Sequence, residues 1–249
     1  MACADVAEIA VGDHVGSLRS VRVEECPQLV RLHLPDATLP HATAAPLQLV
    51  SIRECPNLPG ALAVRSAGAV VVANCGITVL SLVGGAACEA IITRCSALTE
   101  ITISRACGTV SVNDCAELIS VDVSQCAKVT SVSLAHNSAL QNIMSSMMLE
   151  LHELSIWASP LIRSVPISRD LQKLDIRACG ALATLPLLTC GSLQALKVIA
   201  CASLVEVKVA ARCCNIMLHN CPSLVHAPSS DDRRSVSVFE CPAMQSHGV

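Results

Sequence analysis

A short phrase returns along this chain at a nearly fixed interval, and that recurrence limits the available folds more than any other feature. The phrase is an apolar residue, any residue, a second apolar residue, any two residues, then a small residue that is most often Cys. It reads Val21-x-Val23-x-x-Cys26, Val50-x-Ile52-x-x-Cys55, Val70-x-Val72-x-x-Cys75, Ala90-x-Ile92-x-x-Cys95 and Val110-x-Val112-x-x-Cys115. It continues as Val132-x-Leu134-x-x-Asn137, Leu154-x-Ile156-x-x-Ser159, Leu174-x-Ile176-x-x-Cys179, Leu196-x-Val198-x-x-Cys201, Ile216-x-Leu218-x-x-Cys221 and Val236-x-Val238-x-x-Cys241. These eleven copies start 29, 20, 20, 20, 22, 22, 20, 22, 20 and 20 residues apart. A constant period of this size predicts turns that cannot bury a core alone and must stack on one another. The single long interval is accounted for by an inserted loop over residues 36–46, rich in Ala, Pro and Thr.

A second apolar phrase follows many anchors, as in Leu98-x-x-Ile101-x-Ile103, Leu118-x-x-Val121-x-Val123 and Leu204-x-x-Val207-x-Val209. Apolar residues two apart share one face of an extended chain, so each turn is expected to hold two short parallel strands. Turns of 20–22 residues with two such pieces leave little room for a helix of ordinary length. The predicted fold is therefore an all-β or β-dominated solenoid of about eleven turns, roughly 50 Å long at strand spacing. Its expected limits are an N-terminal cap over residues 1–17, the solenoid over 18–242 and a tail over 243–249. Composition agrees: apolar residues make up 52% of the chain and aromatics 1%, and a narrow stacked core is filled by Leu, Ile, Val, Ala and Cys without large rings.

The phrase Leu171-x-x-Leu174-x-Ile176-x-x-Cys179-x-x-Leu182-x-x-Leu185-Pro186, and likewise Leu193-x-x-Leu196-x-Val198-x-x-Cys201-x-x-Leu204, resembles the leucine-rich repeat superfamily. With a strand on both sides of the anchor the pattern is most similar to the treponemal, BspA-like class. Ile52-x-x-Cys55-Pro56-x-Leu58 is similar to the Cys-Pro repeats of plant disease-resistance proteins. The resemblance spans residues 18–242 and implies a curved or straight stack of leucine-rich turns.

Several functional classes recede on chemical grounds. A net charge of −3 supplies no basic stripe to displace counterions from phosphates, so nucleic acid is not expected as a partner. The stretches 66–88 and 178–196 carry no charge, yet they hold Asn74, Thr78, Gly84, Gly85, Pro186 and Gln194 and keep the repeat register. They read as buried turns rather than membrane spans. The opening residues lack a basic start followed by an apolar run, so the 16 cysteines are expected as free thiols in a reducing, intracellular, cytoplasmic setting.

Nine Cys, Asn137 and Ser159 form the anchor column, and a repeating fold aligns them without any ligand; a small side chain that bonds a neighbouring backbone group suits the tight turn. Cys213, Cys214, His219 and Cys221 are the densest set of soft ligands, but the register sends Cys221 inward and His219 outward, so no metal is expected there. The sequence contains no Gly-x-Ser-x-Gly elbow, phosphate-binding glycine loop or His-Glu-x-x-His, and no catalytic residue or cofactor is expected. A carbohydrate-active β-helix enzyme is the catalytic alternative and would need carboxylates gathered on one face, whereas acidic residues here are scattered. A membrane- or surface-associated repeat protein is the other.

The outward positions carry the functional expectation. Between the two inward residues of the first strand runs Arg22, Ser51, Val71, Ile91, Ser111, Ser133, Ser155, Asp175, Lys197, Met217 and Ser237. One place after the second inward residue runs Glu24, Arg53, Ala73, Thr93, Asn113, Ala135, Trp157, Arg177, Ile199, His219 and Phe239. Both aromatic residues of the chain fall in this second column. Exposed Trp, Phe and Arg anchor protein interfaces, so the expectation is a non-enzymatic protein-binding scaffold or assembly subunit. Its candidate contact residues are Arg53, Trp157, Arg177, Lys197, His219 and Phe239; the competing reading has Trp157 and Phe239 covering a groove or the last turns.

Overall fold

The computed structural model describes residues 5–11, 18–34, 47–65, 67–83, 88–104, 107–126, 128–145, 150–210, 213, 215–228 and 235–245. The inserted loop at 36–46 and the end of the tail at 246–249 lie outside these residues. Eleven strands, one from each repeat, form a single parallel sheet in strict sequence order. They are Ser20–Glu24, Leu47–Cys55, Ala67–Cys75, Cys88–Thr93, Cys107–Asn113, Ser131–Ala135, Glu153–Trp157, Lys173–Arg177, Ala195–Ile199, Asn215–His219 and Ser235–Phe239. Each strand and the turn that follows it make one rung, numbered here from one to eleven.

The rungs stack in step. Val112 pairs with Leu134, Leu134 with Ile156, Ile156 with Ile176 and Ile176 with Val198, giving a seam in which every side chain is 0% exposed. The alternation of buried and open positions along each strand follows from the two-residue period of an extended chain. Because each seam residue is covered from above and below by another aliphatic side chain, the core is continuous from Val21 to Cys241. Removing a single seam side chain leaves a cavity that neighbouring rungs cannot close, at a cost of about 2–5 kcal/mol.

The corner after each strand turns in the same way in every rung. The residue before the anchor adopts positive φ eleven times: Glu25, Glu54, Asn74, Arg94, Asp114, His136, Ala158, Ala178, Ala200, Asn220 and Glu240, with φ between 48° and 57°. None is glycine, although the left-handed region disfavours side chains. The conformation is held by the stack itself. In rungs four to ten, for example, the amide N–H of His136 donates to the Trp157 carbonyl of the next rung at 2.9 Å, and that of Ala178 donates to Ile199 at 2.9 Å.

The anchor then closes the corner. Asn137 accepts a hydrogen bond from the Cys115 amide at 3.0 Å through Oδ1 and donates one to the Val112 carbonyl at 3.0 Å through Nδ2, tying rung six to rung five. The cysteines do the donor half of this with sulfur. Cys75, Cys95 and Cys179 reach the carbonyls of Ile52, Val72 and Ile156 in the preceding rung at 3.5, 3.9 and 3.8 Å. They also donate to the carbonyl two residues before themselves, at 3.3 to 3.5 Å. The apolar residue three places on, such as Leu98, Leu118 or Leu204, donates its amide back to the anchor carbonyl to complete the turn. Rung three makes this turn with one residue fewer, Cys75-Gly76-Ile77, and a Cβ on Gly76 would lie 2.0 Å from the Pro56 carbonyl oxygen. Only glycine lets those two backbones approach so closely.

The second strand of each turn is less regular than the first. Ala61–Arg65, Val79–Val83, Glu100–Ser104, Ser120–Gln125 and Asn142–Met144 form a five-stranded parallel sheet along the opposite wall, and Thr184–Leu187 pairs with Glu206–Val209. Between those two groups, rung seven has no second strand. Its Ser164, Val165, Pro166 and Ile167 occupy the place, and Pro166 has no N–H to give to a ladder. Rung ten contributes an isolated bridge at His226, and rung eleven ends in a short helix, Pro242–Gln245. Ahead of the first rung, Glu8–Ala10 pairs in parallel with Arg31–His33 and lays Ile9 against the core. The described parts of the two charge-free stretches are strands and turns of the stack, among them Ala67–Cys75, Val79–Val83 and Thr184–Leu187. Among the described residues no helix is long and apolar enough to cross a membrane.

Candidate interaction surface

The outward face of the eleven-stranded sheet carries the two columns expected from the repeat, save that Ser51 of the first column is buried, and their character changes along the stack. In rungs three to six the second column consists of Ala73, Thr93, Asn113 and Ala135, all half-buried by the neighbouring strands. From rung seven to rung eleven it consists of Trp157, Arg177, Ile199, His219 and Phe239, each in register with the next. Trp157 is 38% exposed and Phe239 57%. At strand spacing this stripe is about 19 Å long.

Within the stripe the polar groups are fixed. The Arg177 guanidinium carbon lies 4.4 Å from the centre of the Trp157 ring, a cation–π stack across adjacent rungs. The same guanidinium forks onto Asp175, with Nε donating to Oδ1 at 2.8 Å and Nη2 to Oδ2 at 2.6 Å. Asp175 hydrogen-bonding to the guanidinium raises the Arg177 pKa still further, so the stack holds a permanent cation. Beside it, Lys173 Nζ donates to Glu153 Oε1 at 2.7 Å. At the far end His219 meets the Phe239 ring edge-on, centroids 6.5 Å apart, with its Nε2 3.2 Å from Glu240. Met217, 41% exposed, adds a flexible apolar side chain to the adjacent column.

Five of the six candidate contact residues are thus brought together. Trp157, Arg177, His219 and Phe239 form the stripe, and Lys197 lies beside it in the first column, paired in register with Asp175. Arg53 stands apart on rung two, in register with Ala73 and about 24 Å from the Trp157 rung. Ile199 and Met217 complete the patch; their aliphatic character gave no interface signal beyond their place in the columns. The Asp175 fork, which braces Arg177 over the ring, follows from their spacing of two on one strand, a relation the column description separated.

The soft-ligand set is divided. Cys221 is buried and donates to the His219 carbonyl at 3.5 Å, Cys213 is buried, His219 faces outward against Phe239, and Cys214 lies outside the described residues. Among the described residues no group of three or more His, Cys, Asp and Glu is gathered in a way that could hold a metal ion. Among the described residues thirteen cysteines are buried. Burial pushes the Cys179 and Cys190 thiols up to about 11, so both are protonated at neutral pH.

No family profile matches the chain, and no curated protein does. Among solved structures it is similar to the leucine-rich repeat domain of the type III effector XopL, with 18% identity over 94% of this chain and 80% of that one, at a TM-score of 0.40. A leucine-rich repeat protein from Bacteroides ovatus gives 15% identity, 90% and 73% coverage and a TM-score of 0.39. The fold itself, a nearly all-β stack of leucine-rich turns, is read from this chain's own strand register.

Proposed function

We propose that this protein is a non-enzymatic binding scaffold, alone or as a subunit of a larger assembly, that holds a protein partner on rungs seven to eleven of its outward sheet face. The observation that carries this reading is the outward, in-register run of Trp157, Arg177, Ile199, His219 and Phe239, in which both aromatic side chains are exposed and the three between them half-buried, with exposed Met217 beside it. Its aromatic, arginine and methionine content is what protein interfaces concentrate. Asp175 and the Trp157 ring hold the guanidinium before any partner arrives, which lowers the ordering cost of binding. Lys197 supplies charge at the rim, and Arg53 is a separate outlying contact. The many buried thiols fit a reducing compartment.

A photocrosslinking amino acid placed singly at Trp157, Phe239, Ala73 or Thr93, in the native cell, tests this directly. The reading expects one discrete adduct from the first two positions and none from the second two, and expects Arg177→Glu to abolish it. Equal adducts from all four positions, or adducts only from rungs three and four, overturn it.

A further inference from the structure

The charges on the outward face of rungs seven to eleven pair off, with one exception. Lys173 Nζ donates to Glu153 at 2.7 Å, and the two oxygens of Asp175 accept from Arg177 at 2.8 and 2.6 Å. Glu240 Oε2 lies 3.2 Å from His219 Nε2. Every carboxylate on these five strands and their corners therefore has a partner in its own rung or the adjoining one. Lys197, half-buried in the first column, has no hydrogen bond or ion pair to another side chain among the described residues.

Its position matters as much as its charge. Lys197 stands on rung nine, the middle of the five, two strand spacings or about 10 Å along the stack from the Trp157 rung and from the Phe239 rung. Its neighbours in the sheet are Asp175 and Met217, in register on either side, and Ile199 two places on along its own strand. Any partner lying across Trp157, Ile199, Met217 and Phe239 must cover it. Covering an ammonium with a purely apolar surface strips away its water and returns nothing, which weighs heavily against binding. A carboxylate brought by the partner removes that cost. A phosphate is the poorer match, since it draws several cations or a free guanidinium fork, and the guanidinium at hand is committed to Asp175.

We infer that the partner segment held on this face presents one Asp or Glu side chain to Lys197, midway between two apolar side chains that meet the Trp157 and Phe239 rungs. A separation of about 10 Å on either side is three residues of an extended chain or six to seven of a helix. The inference rests on the reading of this face as the binding surface and adds the charge and spacing of what binds there. The carboxylate sets register and selectivity, because a rival segment with apolar residues alone leaves the ammonium unpaired beneath it.

The test is selection of phage-displayed random peptides on the purified full chain, each about 16 residues long so that a strand or a helix spans the required 20 Å. Peptides that also bind Trp157→Ala are discarded. The remainder should be enriched in Asp or Glu between two apolar residues. Against Lys197→Gln that acid preference should vanish, and against Lys197→Glu it should give way to Lys or Arg. A synthetic peptide from the wild-type selection should bind Lys197→Glu at least about tenfold more weakly, and recover most of the loss when its acid is replaced by Lys. Circular dichroism checks that both variants keep the stack, and Lys197→Gln decides alone if Lys197→Glu does not fold. The inference is overturned if the selected peptides carry no such acid, if the preference survives both variants, or if no peptide is retained. In the first two cases peptides that need Trp157 still support binding on this face, whereas the absence of a photocrosslinked adduct at Trp157 and Phe239 removes the face itself.

Discussion

Rungs three to six and rungs seven to eleven are built on the same interior and present opposite exteriors. Along the first-strand seam the two regions match through rung nine: Val72, Ile92 and Val112 in one and Ile156, Ile176 and Val198 in the other are all fully closed. Their corners share the positive-φ residue, and all but rungs six and seven share a cysteine anchor. Outside, Ala73, Thr93, Asn113 and Ala135 give way to Trp157, Arg177, Ile199, His219 and Phe239. Stacking constrains only what points inward, so the outward columns can vary, and the proposed binding stretch begins where their character changes at Trp157.

If the interiors are equivalent, seam truncations must cost the same in both halves. Ile92→Ala and Ile156→Ala are each expected to lose about 2–5 kcal/mol in urea unfolding, while Trp157→Ala next door loses under about 1 kcal/mol. A large difference between the two seam variants would break the comparison. The corners come next. Gly76→Ala drives a Cβ into the Pro56 carbonyl, with an expected loss of about 1–3 kcal/mol, and Asn137→Ala orphans the Cys115 amide and the Val112 carbonyl at a similar cost.

Alkali should sharpen the picture through the thiols. Because burial raises Cys179 and Cys190 from their ordinary value near 9 to about 11, the folded state binds those protons more tightly than the unfolded chain. Their contribution is complete below about pH 9 and is lost as the pH rises through 11, so their share of the unfolding midpoint should fall across that window. The smallest effect belongs to the outward face. Arg177→Ala removes an exposed stack and fork and should change stability by under about 1 kcal/mol while eliminating partner capture.

Much of this was legible in the residues. The seam, the eleven strands and the inward anchors follow from a two-residue alternation repeated every 20–22 positions, because only a register-preserving stack keeps all of those residues inside. The left-handed corners were not legible, since Glu, Arg and Ala hold them where glycine would have advertised them; the inter-rung hydrogen bonds enforce the conformation. The break in the second wall depends on Pro166 falling where a ladder needs an N–H, which the first-strand register does not reveal. For the candidate surface, the columns placed Trp157 beside Arg177, but separating the two columns concealed the Asp175 fork. Arg53 shares the chemistry of the other candidates but stands five to nine rungs from them, because residue type alone carries no distance.

The claim beneath all of this is that outward residues twenty-odd positions apart lie one strand spacing apart. Spin-label distances between Thr93 and Ile199, and between Ala73 and Phe239, measure it directly. Five and eight rungs predict about 24 and 38 Å, shortened slightly by any curvature. Two similar distances, or values that do not grow with rung number, would contradict the stack and the surface it presents.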